Sequence, residues 1–135
     1  MDTKHLRAEF AAAKALLEKP KRILVSGHLS PDGDSLGSMI ALARMLRAAG
    51  HDAFATADVR ALGKPGFLEG VADLIPVRKL RRRKFDLFVY VDAASPSRLP
   101  PEVRPFAEKL PSIVIDHHAT SQAADSAAII DPANY

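Results

Sequence analysis

Apolar residues recur along the chain at two spacings, one typical of helices and one typical of buried strands. Near the N-terminus, a stripe with the helical spacing i, i+4, i+7, i+11 consists of Leu6, Phe10, Ala13 and Leu17. This stripe predicts a leading helix that ends at Lys19-Pro20, because proline cannot continue a helix. We expect the helix to dock against whatever sheet follows.

The segment after the leading helix predicts a strand, a loop and a second helix. Residues 23–25 form a short β-branched run that ends at Ser26-Gly27, which is typical of a central strand buried on both faces. A break at residues 31–33 follows, and Gly50 supplies a C-terminal cap for the helix beyond it. The apolar stripe of that second helix consists of Leu36, Met39, Ile40, Ala43 and Leu46.

Further apolar runs at residues 53–57, 87–91, 113–115 and 128–130 predict more strands, with helical or irregular segments between them. Strands that alternate with helices require crossover connections, which produce parallel pairing. The predicted fold class is therefore α/β, a mostly parallel sheet with helices on both faces. Residues 1–19 form the leading helix, and residues 20–135 form one domain.

Composition narrows the chemistry without identifying it. The 135 residues fit one domain, and 47% of them are hydrophobic, as in ordinary globular proteins. No cysteine is present, so a metal would have to be bound by His, Asp or Glu. No apolar run approaches the ~20 residues of a membrane span, which makes a cytoplasmic location the default and gives no reason to expect a membrane partner.

Polar side chains follow three of the predicted strands, at the edge where the carboxyl ends of parallel strands meet. They are His28, Asp32, Asp34, Asp92, Asp116, His117 and His118. Four carboxylates and three imidazoles in one place would be costly without a cation, so the pattern predicts a metal site. Such mixed ligands suit Mn²⁺, Fe²⁺, Co²⁺ or Zn²⁺, and the abundance of oxygen donors favours manganese.

The segment Asp32-Gly33-Asp34 stands directly before the second predicted helix. Gly33 permits a tight turn that lets both carboxylates face inward. The helix N-terminus at residues 35–38 offers backbone N–H groups and a positive dipole end to an anion. Ser35 and Ser38 are therefore candidate substrate-binding residues.

These motifs resemble the first three motifs of the DHH phosphoesterases. The resemblance rests on Gly27-His28-Leu29-Ser30-Pro31-Asp32-Gly33-Asp34-Ser35-Leu36-Gly37-Ser38, Val91-Asp92 and Asp116-His117-His118. It covers about residues 20–132. The Pro-Asp-Gly-Asp form resembles the nanoRNase and pAp-phosphatase branch, which is related to the exopolyphosphatases, more than it resembles the inorganic pyrophosphatase branch.

The resemblance implies a two-manganese site, with Mg²⁺ or Co²⁺ as substitutes. His28 and Asp32 would hold one metal, and Asp34 and His117 would hold the other. Asp92 would bridge both metals. His118 would contact the scissile phosphate, which makes Asp92 and His118 the implied catalytic residues.

Asp116 is interpreted as a residue that orients a neighbouring imidazole, a frequent arrangement around metal-bound histidines, although direct ligation is the alternative. The implied reaction is hydrolysis of phosphate esters in short oligonucleotides or small phosphorylated nucleotides, with two metals activating water for in-line attack. Pyrophosphate, polyphosphate and cyclic dinucleotides are alternative substrates. A homodimer is left open.

Relatives in this family carry a fourth-motif aspartate and a C-terminal substrate domain, and the chain stops at Tyr135 before either. We expect residues 1–135 alone to bind at most one metal tightly and to hydrolyse oligonucleotides negligibly. A non-catalytic metal- or nucleotide-binding module is therefore the alternative for this chain by itself.

Two features lie outside the predicted site. Six of the seven residues from Arg78 to Lys84 are basic. We interpret this run as a solvated connection, with steering of a polyanionic substrate as the alternative. His51 follows a helix cap, and we expect it to be a surface residue without a function.

Overall fold

A computed structural model describes residues 4–58, 73–93, 95–117 and 127–130. Within them, three helices and six strands follow one another along the chain, with short 3-10 turns between some of them. The elements are α1 (Arg7–Leu16), β1 (Arg22–Ser26), α2 (Gly33–Ala48), β2 (Asp52–Ala57), β3 (Ile75–Pro76), β4 (Leu87–Val91), α3 (Arg104–Lys109), β5 (Ser112–Asp116) and β6 (Ala127–Ile130).

The six strands form one sheet in the order β3-β2-β1-β4-β5-β6, and every neighbouring pair is parallel. From β1 the chain first builds outward through β2 and β3, then returns to place β4 on the other side of β1. This reversal makes β1 and β4 neighbours at the centre of the sheet, with Ile23 opposite Leu87. In parallel sheets, the carboxyl ends of the strands at such a reversal of strand order are the usual ligand position.

Alternate residues of each strand point to opposite faces, so the sheet has two hydrophobic cores. In β1, Ile23 and Val25 face the core that α1 and α2 cover, whereas Leu24 faces the core covered by α3 and residues 77–85. Both faces are therefore buried, which explains the continuous apolar runs of the central strands. The predicted α/β class, with a parallel sheet covered on both faces, is confirmed.

Helix α2 agrees closely with its predicted stripe. All five apolar residues of the stripe are buried in the core beneath the helix. The backbone of Gly50 has a φ of +97°, the left-handed conformation that glycine adopts after a helix end. The helix therefore has a defined end at each terminus and one face fixed on the sheet.

Helix α1 is preceded by a 3-10 turn at Lys4–Leu6 and packs against β6. Leu6 and Ala13 of its stripe are buried, while Phe10 remains 44% exposed. Phe10 lies at the mouth of a groove between α1, α2 and β4 to β6, with a volume of about 380 Å³. The leading helix thus shares the core of the sheet.

Two details differ from the sequence-based expectations. His51 is buried, and its Nδ1 accepts a hydrogen bond of 3.1 Å from the backbone N–H of Lys21. The expectation of a surface position was wrong, because this imidazole ties the start of β1 to the start of β2. Strand β3 was not predicted, since its two residues carry no periodic signal.

No helix in the described part of the chain combines the length and the hydropathy that crossing a membrane would require.

Candidate metal centre

Asp92 follows β4 directly and stands at the centre of the carboxyl edge of the sheet. Its φ is +56°, in the left-handed region that Asp and Asn tolerate better than other residues with a side chain. Its backbone N–H donates to the carbonyl of Ile115 at 3.0 Å, which fixes the turn against β5. The carboxylate is only 12% exposed, so it is held in a mostly enclosed position.

Two imidazoles flank the Asp92 carboxylate. His117 Nε2 lies 2.9 Å from Oδ1, and His28 Nε2 lies 3.6 Å from Oδ2. His28 comes from the loop after β1, and His117 from the end of β5. Each carboxylate oxygen therefore faces a histidine that belongs to a different neighbouring strand, as in a carboxylate that bridges two sites.

Asp32 and Asp34 approach the same carboxylate from the beginning of α2. Asp32 is the N-cap of the helix, and its Oδ1 accepts a hydrogen bond of 2.8 Å from the N–H of Ser35. Asp34 lies in the first helical turn. Two overlapping sets of donors result, in each of which the donor atoms lie within 4.8 Å of one another. One set contains His28, Asp32 and Asp92, and the other contains Asp34, Asp92 and His117.

Close packing fixes the position of the loop that carries His28 and Asp32. A β-carbon placed on Gly27 would lie 2.9 Å from the carbonyl oxygen of Val91 and 2.7 Å from Ser35 Oγ. The N–H of Leu29 donates to the carbonyl of Arg98 at 2.6 Å, which fastens the loop to the 3-10 turn at Pro96–Arg98. The absence of a side chain at Gly27 thus lets β1, β4 and α2 converge.

Asp116 lies behind the donors rather than among them. Its side chain is buried, and its Oδ1 accepts a hydrogen bond of 2.8 Å from the backbone N–H of His117. Within the described residues it belongs to neither donor set. This position suits a residue that orients His117, which stays a prediction.

The remaining predicted site residues have different positions. Ser35 is completely buried beneath Gly27, so its side chain packs the loop, and contact with a substrate would require that loop to open. Ser38 is exposed on α2, and its predicted role in substrate binding stays a prediction. His118 lies outside the described residues.

The donor set suits a divalent cation. Three carboxylates converge with two imidazoles, and carboxylates this close repel one another unless positive charge stands between them. Nitrogen and oxygen donors without thiolate are typical of Mn²⁺, Co²⁺ and Zn²⁺ sites. Asp92 belongs to both sets, so the two sets share one carboxylate.

Two features of the site were not predicted from the sequence. One is the close packing around the α-carbon of Gly27, and the other is the left-handed backbone of Asp92. The position of Gly27 directly after a buried strand is the only sequence signal for the first, since glycine there often marks a close approach of two backbones. An aspartate at a strand end gives no specific signal for the second.

The structure is thus an α/β domain whose parallel sheet carries a candidate cation site, the carboxylate-imidazole cluster, at its carboxyl edge. Residues 22–135 match the DHH family, N-terminal domain, and the chain belongs to that family. The resemblance seen in the three motifs is therefore confirmed at the level of the family.

Two known proteins illustrate the relationship. The chain is 35% identical over 117 residues to the bifunctional oligoribonuclease and PAP phosphatase NrnA of Thermus thermophilus, an alignment that covers 82% of this chain and 32% of that protein. An exopolyphosphatase-related protein from Bacteroides fragilis has the same fold, with a TM-score of 0.74 at 21% identity, over 93% of this chain and 39% of that one. The chain thus spans between about a third and two fifths of the length of these two proteins.

Proposed function

We propose that this chain is the cation-binding catalytic domain of a phosphoesterase that hydrolyses phosphate esters in short oligonucleotides or small nucleotides. The observation that carries the proposal is the Asp92 carboxylate, which lies between His28 and His117 and belongs to two donor sets. A pair of divalent cations held this way supplies charge neutralisation at a phosphate and a water of lowered pKa. The similarity to the Thermus thermophilus enzyme supports the choice of substrate class.

Each residue has a proposed task. His28 and Asp32 would hold one cation, Asp34 and His117 would hold the other, and Asp92 would contribute a ligand to both. Asp116 fixes the position of His117 through its backbone N–H. Ser38, an exposed residue in the second turn of α2, and His118 contact the phosphate.

Manganese is the proposed metal, with Mg²⁺ and Co²⁺ as substitutes. Two imidazoles beside three carboxylates are more nitrogen than Mg²⁺ usually accepts, whereas Mn²⁺ binds both donor types. Metal analysis of the protein purified without chelator, together with reconstitution by each cation, tests this choice.

The proposed function predicts that Asp92→Asn abolishes hydrolysis while the fold is retained. Asparagine is nearly isosteric with aspartate and tolerates the left-handed backbone, but it removes the charge shared by both cations. We expect turnover of a 5′-phosphorylated dinucleotide by the full-length protein with Mn²⁺ to fall about a hundredfold or more. The matched control is Glu108→Gln, an exposed residue of α3, which removes the same charge far from the site.

The substrates of this assay also separate the alternatives. Adenosine 3′,5′-bisphosphate and pyrophosphate are assayed beside the dinucleotide, and a preference for pyrophosphate would replace the nucleotide substrate by an inorganic one. Residues 1–135 are assayed alone as well, since we propose that substrate selection requires more of the protein than this segment. Equal turnover by wild type and Asp92→Asn at saturating Mn²⁺ would contradict the bridging role.

A further inference from the structure

A second cavity lies on the other face of the sheet, between α3 and residues 77–85. Its volume is about 680 Å³, within the range of roughly 300–1,000 Å³ that is usual for small-molecule sites. Phe85 stands just before β4 and Leu110 just before β5, so the cavity opens toward the amino ends of these strands. The candidate metal centre lies at the opposite, carboxyl ends.

The floor of this cavity is apolar and partly aromatic. Phe85 and Phe106 pack edge to face with ring centroids 5.5 Å apart, and Phe85 continues the row to Phe54 at 6.1 Å. Phe85 is buried, and Phe106 and Leu110 are half-buried at the cavity wall. Of these three rings, Phe85 and Phe106 line the cavity and give it apolar aromatic surface.

The rim of the cavity is cationic. Five of its lining residues are basic and one, Glu102, is acidic; the basic ones are Arg78, Arg81, Arg83, Lys84 and Lys109. Their surplus of four positive charges exceeds the formal charge of the whole chain, which is +3. The positive charge of the protein is therefore concentrated around this one cavity.

Within the described part of the chain, the basic side chains of this rim are not held in ion pairs. Arg78, Arg81, Lys84 and Lys109 form no salt bridge with any carboxylate described there. The guanidinium of Arg83 lies over the ring of Phe54 at 5.5 Å, so this cation is stacked on an aromatic ring. A run of basic residues on a plain surface is usually only solvated, but here four residues of the run line one side of an apolar cavity.

We propose that this cavity is a second binding site, for a phosphorylated nucleotide whose base lies against the aromatic floor and whose phosphate contacts the basic rim. Base stacking on aromatic rings combined with cationic contacts is the usual means of holding nucleotides without sequence preference. The proposal does not depend on the proposed function, because it uses none of the residues of the candidate metal centre.

The two sites bind separate ligands. Phe85 and Asp92 are seven residue steps apart along a nearly extended chain, a span of roughly 23 Å at the usual rise of a strand. A single nucleotide cannot bridge that distance. The nucleotide comes either as a free mononucleotide or as the end of a short RNA, and the phosphate and base are the same in both.

The test is a calorimetric titration of the full-length protein with AMP in the presence of EDTA, so that no divalent cation holds phosphate at the metal centre. We expect binding that weakens at higher salt, as phosphate contacts do. We also expect Arg81→Ser combined with Lys84→Ser to weaken it by about tenfold or more. Both residues are exposed, so their replacement should leave the fold intact.

The matched control removes two positive charges elsewhere. Arg7→Ser with Lys19→Ser alters exposed residues at either end of the leading helical segment, on the other side of the sheet. Native affinity in this control supports the site. Equal loss of affinity in both double variants would mean general electrostatic attraction and would overturn the proposal.

Two further measurements on the unaltered protein keep the proposal testable if the variants misfold. Pyrophosphate should bind more weakly than AMP, because it has no base for the apolar floor; equal or tighter binding by pyrophosphate overturns the nucleotide assignment. A 5′-phosphorylated tetranucleotide that binds more tightly than AMP identifies an RNA end as the source, and the reverse order identifies the free nucleotide. Absence of AMP binding at millimolar concentration overturns the proposal as well.

Discussion

Gly27 shows how one small residue determines the geometry of the site. Its α-carbon lies where the end of β1, the carbonyl of Val91 and the side chain of Ser35 meet. A side chain there would push the His28 loop away from β4, and it would separate the donors of the first set. Steric room at a single position thus controls the distance between His28 and Asp92.

We predict that Gly27→Ala destabilises the protein by about 1–3 kcal/mol, the usual cost of overpacking. The added methyl group would lie 2.9 Å from a backbone carbonyl, which cannot move without shifting β4. Urea unfolding without metal measures the change. Affinity for Mn²⁺ should fall as well, since the loop that carries two of the donors is displaced.

The control for this prediction is Gly37→Ala within α2. A β-carbon at Gly37 meets no atom within 4 Å, so the substitution should stabilise the helix by about 0.5–1 kcal/mol. If both substitutions changed stability in the same direction and by the same amount, crowding at Gly27 would not be the cause.

At the scale of the element, α2 joins a structural role to a chemical one. Asp32 caps the helix through the N–H of Ser35, and the same carboxylate belongs to a donor set with His28 and Asp92. A carboxylate has enough acceptor positions for both tasks. The helix therefore begins at the candidate cation site, with its positive end directed toward the carboxylates.

The two roles of Asp32 can be separated by two substitutions. Asp32→Asn keeps a good N-cap and removes the charge, so we expect nearly native stability without metal and weaker binding of Mn²⁺. Asp32→Ala removes both, so we expect an additional loss of about 1 kcal/mol in the free energy of unfolding. Thermal unfolding in EDTA and titration with Mn²⁺ measure the two effects.

A different result would assign the residue differently. Equal stability of the two variants in EDTA would show that the cap contributes nothing. Native Mn²⁺ affinity in Asp32→Asn would remove Asp32 from the cation site and leave it as a cap alone.

Among the described residues, five of the six strands, the second helix and the parallel sheet were predictable from the sequence, because apolar periodicity reports burial directly. The site donors were predictable as a cluster because they follow strand ends. The buried position of His51 was not predictable, since its hydrogen-bond partner, the backbone N–H of Lys21, lies thirty residues away in the sequence. The left-handed backbone of Asp92 likewise depends on β5, which sequence spacing does not reveal.

Binding of a cation at the proposed site should stabilise the whole domain. A ligand that binds only the folded state at a hundred times its Kd adds about 2.7 kcal/mol to the free energy of unfolding. For a domain of this size, that corresponds to a rise in Tm of roughly 10 °C. Differential scanning calorimetry with and without Mn²⁺ measures it, and a rise of the same size in Asp92→Asn would place the cation elsewhere.

The parallel sheet also determines the stage of folding at which the donor side chains can bind a cation. They stand on segments that extend from His28 to His117, and each strand pair between them joins parts of the chain that are distant in sequence. Such long-range pairing forms slowly, and the cation gains its full set of contacts only after β1, β4 and β5 are in register.

Manganese should therefore leave the refolding rate nearly unchanged and lengthen the lifetime of the native state, because interactions absent from the transition state act on unfolding. Stopped-flow measurements of both rates test this: a faster refolding limb with Mn²⁺ would mean that the metal is held before the sheet is complete.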